Sequence, residues 1–134
     1  MKPPGSAPLD KTLPAPDPAQ VQVIRSYGPG HFLISDRDWR EPVLVTPTAT
    51  VPLGVARAEE IAPEMLAFLK TLPTPTELLV LGCGTRAIFV PPAQRAALKA
   101  AGLGLEVVDT GSACRIYNVL LAEGRWVAAA LIPL

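Results

Sequence analysis

The chain has 134 residues, the length of one domain, and 49% of them are hydrophobic, which argues against a disordered chain. Lys and Arg number 12, and so do Asp and Glu, so the formal net charge is zero. This balance argues against a nucleic-acid binder and against a polybasic membrane anchor. The longest apolar run, 126–134, falls short of the ~20 residues of a transmembrane helix, so we expect no direct membrane insertion.

Residues 1–20 hold six of the 16 prolines and few large apolar residues. Proline at this density removes the backbone donors that helices and sheets need. The composition predicts a disordered Pro-rich tail, with a Pro-rich docking ligand as the alternative. Order is expected to begin at Val21, which leaves 21–134 as a single α/β domain.

The compartment is inferred from the N-terminus and the cysteines. Lys2 is followed by no apolar stretch, so the sequence predicts no signal peptide. Cys83 and Cys114 are widely separated and match no zinc pattern, which favours free thiols in a reducing compartment. We therefore expect a soluble, cytoplasmic protein.

Residues 21–53 show the pattern of β-strands. An extended segment lies on each side of Gly28, Pro29 and Gly30, which predicts a hairpin. His31 follows this turn and is interpreted as a polar residue at a strand start. Residues 42–53 predict two short strands separated at Pro47, and their prolines favour edge positions.

Residues 61–73 predict the first helix. Pro63 suits its first turn, where a missing N–H costs nothing, and Glu64 there is favourable to the helix dipole. Four apolar side chains recur at helical spacing and predict a buried face: Met65, Leu66, Leu69 and Leu72.

The second half of the chain alternates between strands and helices. The predicted order is strand 77–84, helix 91–102, strand 103–111, helix 112–124 and strand 125–134. Strands joined through a helix in one sheet run parallel. The fold class predicted is α/β: a three-layer single domain with a mixed central sheet, a parallel βαβ core in the C-terminal half and an N-terminal β-hairpin region. Segments 78–81 and 105–108 are expected to be neighbours that run in the same direction.

Within helix 112–124, spacing separates a buried face from an exposed one. The buried face is predicted to hold Ala113, Ile116, Tyr117, Leu120 and Leu121. Thr110 or Ser112 is predicted to cap the first N–H groups. Arg115 and Asn118 are left near the exposed side.

Three segments carry a family resemblance: LGCG at 81–84, GLGLEVVDTGSACRIYNVLLAEGR at 102–125 and VAAALIP at 127–133. They resemble the Mth-type (Mth938-like, DUF498) family of small uncharacterised proteins, which is related to the mitochondrial respiratory complex I assembly factor 3. The resemblance implies a three-layer α/β domain and no known reaction. Cys83 stands where relatives often carry threonine, which weakens any essential role for it.

A candidate ligand crevice lies at the C-terminal edge of the parallel strands, where open α/β sheets bind ligands. Its candidate residues are Gly82, Cys83, Gly84, Arg86, Asp109, Thr110, Cys114, Arg115 and Asn118. Ala87 stands where a dinucleotide fingerprint needs its third glycine, so a nucleotide site is not favoured. No catalytic set, metal site or cofactor is predicted.

Two chemical hypotheses concern this crevice. In the first, Cys114 at the start of a helix is a reactive thiol that pairs with Cys83; the alternative is a buried, inert thiol. In the second, Arg86, Arg115 and Arg125 attract a carboxylate or phosphate; the alternative is three solvated arginines.

The resemblance favours a non-catalytic interaction or assembly module. Its partners are unknown proteins, with respiratory or membrane-complex subunits as candidates, and we expect a monomer or weak homodimer. Trp39 is either part of an exposed docking surface or a partly buried anchor. The alternative function is an anion-binding or thiol redox protein that uses the crevice.

Overall fold

The structure is a computed structural model that describes residues 21–61, 69 and 76–134. The predicted tail, 1–20, and most of the predicted helix 61–73 lie outside the described residues. Leu69, which was expected on the buried face of that helix, is fully buried.

The described residues form two sheets, two α-helices and a short 3-10 turn at Ala58–Glu60. The strands are β1 (Ile24–Gly28), β2 (His31–Ile34), β3 (Arg37–Trp39), β4 (Val43–Val45), β5 (Thr50–Pro52), β6 (Leu78–Gly82), β7 (Gly104–Val108) and β8 (Val127–Leu131). The helices are α1 (Pro92–Ala100) and α2 (Thr110–Ala122).

The larger sheet is mixed, with strand order β5-β4-β8-β6-β7. β6 pairs in parallel with both β7 and β8, while β4 pairs antiparallel with β5 and β8. Leu79 lies opposite Leu105 and Gly82 opposite Val108, so the expected parallel neighbours are confirmed. The predicted α/β class with a mixed central sheet is confirmed as well.

The smaller sheet contains the predicted hairpin and one further strand. β1 and β2 pair antiparallel around the turn, where Gly30 has a φ of 74° that favours glycine. β3 adds to β2, with Trp39 opposite Phe32. β3 was not predicted because its three residues include two charged ones. Trp39 is buried, so the exposed docking role considered for it is wrong.

β4 and β5, the two strands of the proline-containing segment 42–53, lie at different positions in the larger sheet. β5 lies at the sheet edge, as predicted, and contains Pro52. β4 lies between β5 and β8, so the edge position predicted for it is wrong. The reason is that Pro42 and Pro47 fall outside the three paired residues of β4, and no donor of its ladder is lost.

Alternating side chains of β4, β6 and β8 fill two hydrophobic clusters on opposite faces of the larger sheet. Val45, Val80 and Ala129 point into cluster 1, which also contains buried residues of α2 and the smaller sheet. Leu44, Leu79 and Ala130 point into cluster 2, which contains Leu98 of α1. Because the three strands contribute to both clusters, the two sides of the molecule share one sheet.

The ends of the helices are set by local signals. α1 begins at Pro92, and Gly102, with a φ of 84°, follows it, as predicted. α2 is capped by Asp109, so the prediction that Thr110 or Ser112 caps it is wrong. The predicted apolar face of α2 is confirmed: Ala113, Tyr117 and Leu121 are buried, and Ile116 and Leu120 are half-buried.

Candidate functional site

The segments that follow β6 and β7 meet at the C-terminal ends of these two strands, as expected from the parallel pairing. The Cys83 amide donates to the Val108 carbonyl at 3.0 Å, and the Thr110 amide donates to the Gly84 carbonyl at 2.9 Å. These backbone bonds join the two segments directly. The edge therefore brings together the predicted residues 82–84 and 109–110.

Thr110 connects three parts of the chain at this edge. Its hydroxyl oxygen accepts from the Gly84 amide at 2.8 Å, and the hydroxyl donates to the Ile132 carbonyl at 2.6 Å. The side chain is fully buried. Thr110 therefore fixes the start of α2 against the ends of β6 and β8, which is a structural role that the sequence did not predict.

Gly82 permits α2 to lie close to β6. A Cβ atom at this position would stand 2.9 Å from the Cβ of Ala113 and 3.1 Å from the Cα of Thr110. No side chain fits at these distances without a shift of the helix. This part of the predicted crevice is therefore occupied by the protein itself.

Asp109 places a negative charge at the N-terminus of α2. One carboxylate oxygen accepts from the Ser112 amide at 3.1 Å, and the other accepts from the Ser112 hydroxyl at 2.6 Å. These hydrogen bonds hold the pKa of Asp109 below its ordinary value. An anion bound to the first N–H groups of α2 would meet this carboxylate, so a ligand in the part of the crevice at the helix terminus is disfavoured.

The two cysteines lie on opposite faces of the larger sheet. Cys83 is half-buried against cluster 2, and Cys114 is buried in cluster 1. Burial raises the pKa of both thiols, that of Cys114 to about 12. The structure thus separates the thiols that the redox hypothesis pairs, and it favours the inert interpretation of Cys114.

The three arginines of the anion hypothesis are not grouped at the crevice. Arg125 precedes β8 and contacts Glu77, which precedes β6, with 3.4 Å between Nε and Oε1, so it lies at the opposite end of the sheet. Arg86 is exposed in the segment after β6. Arg115 projects from α2 and its guanidinium donates to the Tyr27 hydroxyl at 3.0 Å.

A groove of about 330 Å³ lies between α2 and β1, and we call it the α2–β1 groove. It brings together three of the predicted site residues with four residues of β1. Its lining residues are Ile24, Arg25, Ser26, Tyr27, Cys114, Arg115 and Asn118. The predicted site is thus divided between the packed sheet edge and this open groove.

Asn118 holds one end of the α2–β1 groove. Its side-chain amide donates to the Ile24 carbonyl at 2.7 Å, and its oxygen accepts from the Ile24 amide at 3.1 Å. Asn118, which was predicted near the exposed side of α2, is half-buried. The nearby Tyr117 hydroxyl donates to the Gln22 carbonyl at 2.8 Å. The partners lie more than 90 residues away in sequence, and no local pattern reveals them.

A second cavity, of about 240 Å³, lies on the cluster 2 side of the sheet. Its lining is mostly apolar, with Glu59 and Gln94 as polar members. Within residues 21–61, 69 and 76–134, no group of three His, Cys, Asp or Glu side chains is arranged to hold a metal ion. In the same part of the chain, no helix has the length and apolar character needed to cross a membrane.

Comparison with known proteins yields a family and several relatives. The model of a protein family of unknown function, DUF498/DUF598, matches residues 24–132. "NADH dehydrogenase [ubiquinone] 1 alpha subcomplex assembly factor 3" of Danio rerio is 38% identical over 111 residues, which cover 83% of this chain and 64% of that protein. The human protein of the same name is 31% identical over 115 residues, covering 86% and 62%. The chain thus spans less than two-thirds of the length of these relatives.

Bacterial proteins are similar over more of their own length. An uncharacterized protein of Rhodobacter capsulatus is 37% identical over 111 residues, covering 83% of this chain and 84% of that protein. A crystal structure from Bordetella parapertussis superposes with a TM-score of 0.77 at 30% identity, covering 88% of this chain and all of that one. A solution structure of a Mth938-like domain from Bordetella pertussis gives a TM-score of 0.74 at 26% identity, with 90% of each chain covered.

Proposed function

The chain belongs to the DUF498/DUF598 family of proteins of unknown function, and we propose that it is a non-catalytic assembly factor for a respiratory NADH dehydrogenase. The observation that carries this proposal is the identity of 38% and 31% to relatives named as assembly factors of that enzyme. The similarity extends over 83% and 86% of this chain. The proposal therefore concerns the domain that this chain shares with them.

The geometry gives the candidate site residues structural roles rather than catalytic ones. Asp109 and Thr110 hold the start of α2, and Asn118 holds α2 against β1. Cys114 is buried and its pKa is raised by burial, so it is a poor nucleophile at neutral pH. These polar side chains thus already have structural roles.

The partner class follows from the same similarity. We propose that the partners are subunits of the NADH dehydrogenase, bound before they reach the finished complex. We place the protein in the cytoplasm, as a monomer or weak homodimer.

A deletion and a purification together test this function. Deleting the gene in the source organism should reduce the amount of assembled NADH dehydrogenase on a native gel, and a plasmid copy should restore it. Affinity purification of the tagged chain should enrich named subunits of that enzyme over an unrelated tagged protein of similar size. Normal levels of the complex in the deletion strain, together with no enrichment of its subunits, would contradict the proposal.

A further inference from the structure

Two arginines border the α2–β1 groove, and both are held by neutral partners. The Arg115 guanidinium donates to the Tyr27 hydroxyl at 3.0 Å and to the Ser112 hydroxyl at 3.2 Å. Nε of Arg25 donates to the Ser35 carbonyl at 3.0 Å. In the part of the chain that the structure describes, neither arginine forms an ion pair. Each guanidinium is thus positioned by hydrogen bonds to neutral groups, and it can bind an anionic group without giving up an ion pair.

Asp109 is an acidic residue that interacts electrostatically with Arg115, because the positive charge of Arg115 helps to lower the pKa of Asp109. Its two carboxylate oxygens bind the amide and hydroxyl of Ser112 rather than the guanidinium. The groove lining itself contains two arginines and no acidic residue. The whole chain has a net charge of zero, so this positive surface is local.

An exposed apolar side chain lies near Arg115 on α2. Val119 follows Arg115 by four residues on α2, which places the two on the same helix face, and Val119 is 58% exposed. Residues Ile24 to Tyr27 form the opposite wall of the groove. Four strand residues extend for roughly 13 Å, which suits an extended chain better than a single small anion.

We propose that the α2–β1 groove is the docking site for an extended acidic segment of the partner protein. Its carboxylates bind Arg115 and Arg25, and a neighbouring apolar side chain packs on Val119. Guanidinium groups accept carboxylates in a two-point geometry, which fixes the register of the segment. This inference rests on the proposed assembly function and names the surface that performs it.

A titration with a defined peptide tests the groove. The probe is a capped six-residue peptide of alternating glutamate and leucine, and the control replaces each glutamate by glutamine. In ¹⁵N NMR spectra we expect the acidic peptide to shift the amide signals of 25–27 and 114–119, and to bind more weakly as salt is raised. Equal binding of the glutamine peptide, or shifts confined to another surface, would overturn the proposal.

Matched variants test which positive charges contribute to binding of the acidic peptide. Arg115→Gln and Arg25→Gln should each weaken binding of the acidic peptide about tenfold, as expected for the loss of a charged hydrogen-bond pair. Arg95→Gln, the same charge change on exposed α1, should leave binding within about twofold. Val119→Glu leaves every hydrogen bond of the groove in place and should also weaken binding. Unchanged affinity in Arg115→Gln and Val119→Glu would overturn the proposal.

Small anions provide a further test of what the α2–β1 groove binds. Sodium acetate and inorganic phosphate should bind far more weakly than the peptide, because each engages one arginine and does not reach Val119. If either anion alone matches the peptide in affinity and in the signals shifted, the groove is a small-anion site and the docking proposal is wrong.

The purification experiment separates this inference from the proposed function. If the wild-type chain and the Arg115→Gln variant capture NADH dehydrogenase subunits equally, the groove is not the docking site while the assembly function stands. If the wild-type chain captures none, the assembly function fails, and the peptide titration still decides whether the groove binds acidic segments.

Discussion

Single polar side chains determine how the start of α2 meets β6 and β8 at the C-terminal ends of these strands. The Thr110 hydroxyl is the clearest case, because it satisfies a buried donor, the Gly84 amide, and a buried acceptor, the Ile132 carbonyl. A buried polar group that loses its partner contributes its full desolvation cost. The hydroxyl therefore contributes more to the free energy of unfolding than its small size suggests.

We predict that Thr110→Val lowers the free energy of unfolding by about 3 kcal/mol, because it keeps the volume and leaves the Gly84 amide and the Ile132 carbonyl without their partner. Urea denaturation measures the change. Thr110→Ser is the control, since it keeps the hydroxyl and loses one methyl group; it should cost about 1 kcal/mol. Equal stability of Thr110→Val and the wild type would show that the hydroxyl contributes nothing.

The two thiols should differ in reactivity. Burial raises the pKa of Cys114 from 9.0 to about 12, which at pH 8 reduces its thiolate fraction about a thousandfold. We predict that a disulfide reagent labels Cys83 in the native protein and labels Cys114 only after urea is added. Cys83→Ser is the control, and its native form should show no labelling. Rapid labelling of native Cys83→Ser at pH 8 would refute the inert interpretation of Cys114.

The raised pKa of Cys114 also makes the stability of the fold depend on pH. Because burial disfavours the thiolate in the folded state, the stability that comes from keeping Cys114 neutral is fully present below pH 9. It is lost as the pH rises toward 12, so the free energy of unfolding falls over this range. Cys114→Ala should therefore lose less stability than the wild type between pH 9 and pH 11.

At the scale of elements, the approach of α2 to β6 depends on two small residues. We predict that Gly82→Ala lowers the free energy of unfolding by about 2 kcal/mol, because the added Cβ would lie 2.9 Å from the Cβ of Ala113 and pushes the helix outward. Thermal or urea unfolding measures this. The double variant Gly82→Ala with Ala113→Gly removes that contact, although the Thr110 backbone still lies close.

The double variant decides whether the contact is the cause. Ala113→Gly alone costs stability in the helix, by about 1 kcal/mol. If the two substitutions interact through this contact, the double variant should be more stable than the sum of the single changes predicts. Strict additivity would indicate that Gly82 is needed for another reason.

The elements that the sequence predicted are those with strong local patterns. The apolar run of β6 and the helical spacing of α2 predicted the type of each element. The parallel pairing of β6 with β7 was predicted because a helix joins these two strands. β3 was missed because its inward residue, Trp39, stands among charged neighbours. The central position of β4 was missed because strand order depends on which distant strand pairs with it, here β8.

The candidate site was predicted in part for the same reason. The topology brought Gly84 and Thr110 together, as parallel pairing requires. The α2–β1 groove was not predicted, because it depends on where β1 packs against α2. Asn118 and Ile24 are 94 residues apart, and neither residue carries a local sign of the other.

At the scale of the whole molecule, one sheet joins both hydrophobic clusters. β4, β6 and β8 contribute side chains to each cluster, and the smaller sheet is joined to α2 through cluster 1 and Asn118. A change that destabilises one cluster therefore also destabilises strands that contribute side chains to the other cluster. Docking at the α2–β1 groove would take place on a surface supported by this shared core.

This arrangement predicts cooperative unfolding of the described domain. The chain has two tryptophans, and Trp126→Phe leaves Trp39, buried in cluster 1, to report on the smaller sheet. In urea, the fluorescence of this variant and its far-UV circular dichroism, which reports all elements, should give the same midpoint, because the clusters share three strands. A fluorescence transition at clearly lower urea would show that the smaller sheet separates first. The groove wall formed by β1 would then be lost while the larger sheet and its cluster 2 remained folded.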